Sequence, residues 1–70
     1  MRKILSDVAG NVWKVEVQPG QAVQAGDTLL IVESMKMEIP VVSEHAGQVR
    51  EVLVAEGEQV QDGQWLATLD

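Results

Sequence analysis

Along the chain, apolar residues come in short runs broken at regular intervals by glycine, and within the runs they alternate with polar ones. Val15 and Val17 alternate, as do Val52 and Val54, in runs rich in valine, isoleucine and leucine with Trp13, Thr28 and Trp65 among them. Branched and aromatic residues at a period of two fit a pleated sheet with one buried face. No window long enough for a helix escapes a glycine, so the pattern predicts strands at 3–5, 11–17, 22–24, 28–34, 37–42, 48–54, 59–61 and 65–69. Val12 and Val49 stand one residue out of phase with the valines that come after them. The same offset in two strands predicts a bulge or bend at the same place in each.

Those strands belong to two copies of one unit. A shift of 37 positions lays residues 9–33 on 46–70 without a gap, with ten of 25 pairs identical. The match extends back to place residues 2–8 on 39–45, with Ser6 on Ser43 and Asp7 on Glu44. All six glycines fall into matched pairs: Gly10 with Gly47, Gly20 with Gly57, Gly26 with Gly63. Glycine marks places where φ is positive or where backbones approach closely, so paired glycines predict the same turns in both halves. Four strands per repeat fit an all-β fold, a flattened barrel or sandwich of two four-stranded antiparallel sheets with pseudo-twofold symmetry. The first and last strands are then neighbours. The expected organisation is a single domain over residues 1–70, with half-repeats 2–33 and 39–70 and a hairpin junction at 34–38.

The junction reads Glu33-Ser34-Met35-Lys36-Met37-Glu38. A tight hairpin turn normally uses Asn-Gly, Asp-Gly or another pair able to take positive φ. With Met35 and Lys36 as the central residues, Glu33 and Glu38 would face each other across the strands, a like-charge pair. Local rules therefore fail twice at one tip, and such failures concentrate at functional sites. An exposed lysine is ordinarily solubilising surface, and methionines ordinarily fill cores. Two methionines beside a two-residue turn have no core within reach, whereas a hairpin tip presents a lysine far from the body, where another protein can find and modify it.

Composition narrows the possibilities further. Seventy residues allow one small core and leave no room for a conventional enzyme with its own pocket. A net charge of −6 argues against nucleic acid and against an anionic membrane face, and points to proteins or small molecules as partners. The chain has no cysteine, and no apolar stretch approaches the length of a membrane span; a soluble, cytoplasmic protein, monomeric by itself, is the expectation. One histidine, His45, without cysteine or ligand-spaced carboxylates nearby makes no metal site and belongs to a surface loop. Trp13 matches Arg50, which predicts an exposed or half-exposed ring, and Trp65 matches Thr28 at a strand start. Neither suggests a base-stacking platform in so acidic a chain.

The tip "ESMKMEIP", with "AGQVREVLV" and "EGEQVQDGQWL" after it, resembles the biotinyl domain family, the biotin carboxyl carrier or biotin/lipoyl attachment domains, over essentially the whole chain. In that family the lysine of a Met-Lys-Met tripeptide is joined to biotin by an amide, which implies covalent biotin on Lys36. The resemblance further implies a carrier rather than a catalyst, with no catalytic residue of its own. Its partners would be a biotin protein ligase, an ATP-dependent biotin carboxylase that loads the arm and a carboxyltransferase that unloads it. Met35 and Met37 would act in recognition by ligase and carboxylase, flanked by Ser34, Glu33 and Glu38. The two glutamates meet either basic groups of a partner or solvent.

Two features depart from the commonest family pattern. Ser34 stands where alanine is usual, a small-for-small change, and the halves align without the insertion that forms a protruding thumb in some biotinyl domains. The chain thus resembles a thumbless, stand-alone attachment protein or a domain from something longer. Lipoyl domains share the fold and tip lysine but typically carry Asp-Lys-Ala, which leaves lipoate as the less favoured group on Lys36. An unmodified structural barrel is the remaining alternative.

Overall fold

The computed structural model describes all residues, Met1–Asp70. Eight strands run in the order β1 (Arg2–Leu5), β2 (Gly10–Val15), β3 (Ala22–Val23), β4 (Thr28–Ser34), β5 (Met37–Val42), β6 (Gly47–Val52), β7 (Gln59–Val60) and β8 (Trp65–Leu69). They form two four-stranded antiparallel sheets, ordered β1-β8-β6-β3 and β5-β4-β2-β7. The 37-residue shift turns each strand order into the other, so the sheets are images of each other and each takes two strands from each half. β1 and β8 pair, as the repeat predicts.

The strands begin and end within two residues of the expected bounds, and the largest differences are matched: β2 ends at Val15 and β6 at Val52, each two residues early. In β2 the register slips between Val12 and Lys14, leaving Trp13 as the extra residue; in β6 it slips between Val49 and Glu51, leaving Arg50. These are the matched positions where the valine phase changes. A second matched pair of bulges leaves no mark in that phase. Register also slips at Leu29 in β4 and at Leu66 in β8, so that Leu29 and Leu30, and likewise Leu66 and Ala67, are consecutive and all fully buried. Strict alternation would expose one of each pair.

The bulges feed two core clusters. One holds Val12, Leu30, Val32, Val54, Val60 and Leu66, the other Val17, Val23, Leu29, Val49 and Leu69. Five positions of the first map onto the second by the repeat shift; the sixth, Leu30, maps onto Ala67. Each cluster draws on both halves, so neither half can bury its own apolar face.

Between the sheets the chain is locked by paired polar contacts. Ser6 and Ser43 are buried, and each hydroxyl donates to the carbonyl two residues on, of Val8 and His45. Their backbone amides donate to Gln64 and Asp27, and their carbonyls accept from Gly63 and Gly26. No buried side-chain polar atom lacks a partner. Four glycines have positive φ, at Gly20, Gly26, Gly57 and Gly63, while Gly10 and Gly47 are sites of close approach, which together account for both meanings the paired glycines could have.

Candidate functional site

The site is the tip of the β4–β5 hairpin, and the core determines its shape. Register runs without a slip from Leu30↔Val41 through Val32↔Ile39 to Glu33↔Glu38 and Ser34↔Met37. Val32 is fully buried and Ile39 half-buried, so a slip of one residue would turn both toward solvent. That pins the last pair at Ser34 and Met37 and leaves two residues to make the connection. Met35 takes φ 53° and Lys36 φ 65°. Two consecutive left-handed residues make the turn whose twist matches that of the strands. Left-handed backbone costs about 1–2 kcal/mol for each residue that has a Cβ, and neither Met35 nor Lys36 escapes it. Strain of this kind persists where a side chain is needed for something other than the turn.

What the strained pair presents is unambiguous. Met35 is 92% exposed and Met37 64%, so neither methionine fills the core. Lys36 is exposed and makes no hydrogen bond or ion pair with the rest of the protein. Behind the turn, cross-strand partners Gln59, Asn11, Glu33 and Glu38 form a row across β7, β2, β4 and β5, all exposed. The two glutamates face each other as the sequence predicts, and no cation of the protein neutralises them. Ser34 is half-buried opposite Met37.

The hairpin is braced by β2. At Gly10 an added Cβ would collide with the carbonyl oxygen of Glu33 and lie 2.9 Å from a methyl of Val32. Glycine there lets β2 run against the base of the hairpin and stiffen the stalk that carries the tip. The arrangement offers an exposed, unpartnered primary amine on a two-stranded support, flanked by exposed thioethers. It brings together no acid, base or nucleophile constellation. An exposed primary amine of this kind is chemically able to act as a nucleophile toward an activated acyl group.

The other residues singled out by sequence lie elsewhere. His45 is exposed in the loop after β5. Trp13 is 49% and Trp65 36% exposed. The Trp65 indole is held in place: Nε1 donates to the Ala67 carbonyl at 3.1 Å and to Thr68 Oγ1 at 3.0 Å, and Thr68 Oγ1 bonds Glu51 at 3.1 Å. Lys3 Nζ lies 4.5 Å from the indole ring centroid. This network has no counterpart in the other half, where Thr28 replaces Trp65 and Ile31 replaces Thr68, so the repeat gave no signal for it.

A family model described as "Biotin-requiring enzyme" matches residues 3–69. The biotin/lipoyl attachment protein of Bacillus subtilis is 47% identical over 62 residues, covering 89% of this chain and 85% of that protein. A biotinylated protein TB7.3 homologue of Mycobacterium leprae is 38% identical, covering 94% of this chain and 93% of that protein. Among solved structures, urea carboxylase of Kluyveromyces lactis superposes with TM-score 0.93 at 32% identity over 99% of this chain, which amounts to 6% of that enzyme. The lipoyl domain of the 2-oxoglutarate dehydrogenase complex of Azotobacter vinelandii superposes with TM-score 0.77 at 28% identity, covering 90% of this chain and 80% of the domain.

Proposed function

The chain belongs to the biotin/lipoyl attachment domain family, a family of carriers rather than catalysts and related to the carrier domains of carboxylases, and from that premise we propose that Lys36 carries biotin in amide linkage and serves a biotin-dependent carboxylase. The observation that carries this reading is the tip itself: a free amine between two solvent-exposed methionines on a turn that neither of its central residues favours. The similarity to a biotinylated protein and to pyruvate carboxylase of Bacillus subtilis, 37% identical over 67 residues, supports biotin as the group.

The residues divide the work simply. Lys36, in its neutral form, attacks the acyl carbon of an activated biotinyl-adenylate on a ligase; the amide forms, adenylate leaves and a proton passes to solvent. Amide formation removes the lysine charge and lengthens the side chain into an arm. Met35 and Met37 fill an irregular partner surface with polarizable, adaptable side chains and shield the amide. The β4–β5 stalk keeps the arm clear of the body, so that tethering turns delivery between a carboxylase and a carboxyltransferase into a local event at high effective concentration. Bound biotin would supply the chemistry of carrying a carboxyl group.

A second reading has specific support. The fold match to a lipoyl domain and the similarity to a protein named for both groups favour lipoate as an alternative on the same amine. Intact mass of protein from its own cells, with fragment mapping, decides between them. A biotin adduct on Lys36 that disappears in Lys36→Arg is the expected result; a lipoyl adduct moves the function to acyl transfer, and an unmodified chain refutes both. Met35→Asp with Met37→Ala should move ligase selectivity from biotin toward lipoate, and no movement would remove the methionines from recognition.

A further inference from the structure

The internal repeat provides a control for every surface position, and one place fails that control in a directed way. The only cavity, about 230 Å³, lies between β1 and the segment that closes β5 and leads into β6, with Arg2, Lys3, Glu44 and His45 in its lining. In the other half of the molecule the same backbone leaves no cavity. The residues equivalent to Arg2, Lys3 and His45 there are Ile39, Pro40 and Val8. Val8 is half-buried and packs on the first core cluster together with Val41. His45, by contrast, is exposed. Three positions that are apolar in one half are Arg, Lys and His in the other, on the same backbone.

The strand beside the cavity differs in the same sense. β1 and β5 are the outermost strands of their sheets on equivalent sides, each hydrogen-bonded to one neighbour. Pro40 removes a backbone donor from the β5 edge, a common protection against strand addition. Lys3, its counterpart, leaves the donor in place on β1. Arg2 makes no hydrogen bond or ion pair within the protein. In a chain of net charge −6 with five cations, two of them sit on these four residues. Glu44 is the one carboxylate in the lining.

We infer that the free edge of β1 and the cavity beside it form a docking site for an extended acidic peptide segment of a partner protein. The segment adds to β1 as a further strand through main-chain hydrogen bonds, and one of its carboxylates enters the cavity toward Arg2 and His45. The cavity is smaller than the pockets that hold cofactor-sized ligands and suits a side chain. A second copy is a poorer occupant, because the strand Arg2-Lys3-Ile4-Leu5 brings no carboxylate to set opposite Arg2 and Lys3, whereas an acidic segment does. By the pseudo-twofold relation the β1–β8 pair is the image of the β4–β5 hairpin, so the occupant would hold the protein by the opposite partner of the symmetry and leave Lys36 free. The inference does not depend on which group Lys36 carries.

The test is titration of the full chain, labelled for amide NMR, with the blocked peptide Thr-Glu-Val-Glu-Val-Thr and its Thr-Lys-Val-Lys-Val-Thr counterpart. The acidic peptide should shift the amides of residues 2–5 and 42–45 saturably, more weakly as salt is raised, and the lysine peptide should not. Arg2→Glu should weaken binding at least tenfold. Lys3→Pro should abolish it while leaving the remaining spectrum folded, since the equivalent position already accommodates proline. Equal binding of both peptides, unchanged binding by Lys3→Pro, or the same shifts produced by acetate alone in wild type and Lys3→Pro would overturn strand addition. Concentration-dependent self-association of the free chain through β1 would overturn the choice of occupant.

Discussion

Glu33 and Glu38 stand directly opposite each other one pair before the strands close on Met35 and Lys36, and neither has a cation to offset it. Opposed like charges on neighbouring strands destabilise a hairpin by about 0.2–1 kcal/mol. The carboxylates therefore oppose folding at the very point where the amine is displayed.

Glu38→Gln should relieve that repulsion. The expected gain is about 0.2–1 kcal/mol, which for a domain of this size raises the thermal midpoint by about 1–8 °C. Added salt should stabilise the wild type more than the variant and narrow the difference. A variant that melts lower than wild type would mean that Glu38 makes a favourable contact instead.

The turn should behave in the same way. Met35→Asn together with Lys36→Gly places residues suited to positive φ where φ is 53° and 65°. Removing most of the left-handed strain should stabilise the protein by on the order of 1–3 kcal/mol, read as a higher urea midpoint with an unchanged slope. The same protein should accept no biotin or lipoyl group from any ligase. Lys36→Arg, by contrast, should leave stability within about 0.5 kcal/mol of wild type and still accept no group, which separates the chemistry of the amine from the conformation of the turn.

Gly10→Ala and Gly47→Ala test the brace behind the tip. Both glycines occupy matched positions, but an added Cβ at Gly10 meets the Glu33 carbonyl and a Val32 methyl inside the molecule, whereas at Gly47 it lies 2.8 Å from the carbonyl oxygen of the last residue, Asp70. At Gly10 the added atom is crowded from two sides, by a strand backbone and by a core methyl; at Gly47 one carbonyl alone is close, and the next atom is 3.9 Å away. Gly10→Ala should cost about 1–3 kcal/mol, and Gly47→Ala clearly less, measured by chemical denaturation of the two variants side by side.

The particular places where sequence and structure agree share a cause. Gapless pairing of the glycines and valines exposed the twofold architecture, the β1–β8 neighbourhood and the bulges at Trp13 and Arg50, because all of these are recorded in residue types that the backbone demands. The tip was legible for the opposite reason: Met35 and Lys36 suit their own turn poorly. What escaped was the second pair of bulges. Leu29-Leu30 and Leu66-Ala67 read as ordinary apolar runs; the division of the interior into two clusters shows why Leu29 and Leu30 both turn inward, one to each cluster, while in the other pair Leu66 joins the first cluster and Ala67 is buried outside both. The Trp65, Thr68 and Glu51 network escaped as well, since it exists in one half only and a repeat can speak only for what it shares.

Sharing of the core between halves leads to the last expectation. Fragments 1–35 and 36–70 should each be unfolded as monomers, because Val12, Leu30 and Val32 meet Val54, Val60 and Leu66 in one cluster, and the second cluster is likewise mixed. Chains of this length seldom fold unaided without a disulfide or metal. Mixed together, they should recover the native amide spectrum. The two fragments should differ in what they do alone. In a symmetric dimer of fragment 1–35, the second copy's Val17, Val23 and Leu29 would take the places of Val54, Val60 and Leu66, and on each chain three cations would offset four carboxylates. A dimer of fragment 36–70 would put Ala67 where the first cluster has Leu30, leaving a void, and would gather seven carboxylates against two cations on each chain. A Leu-to-Ala vacancy in a core costs about 2–5 kcal/mol. Sedimentation of the separate fragments should therefore show fragment 1–35 self-associating and gaining β structure at concentrations where fragment 36–70 remains a disordered monomer. Equal behaviour of the two would show that the repeats are not interchangeable in the way the paired cores require.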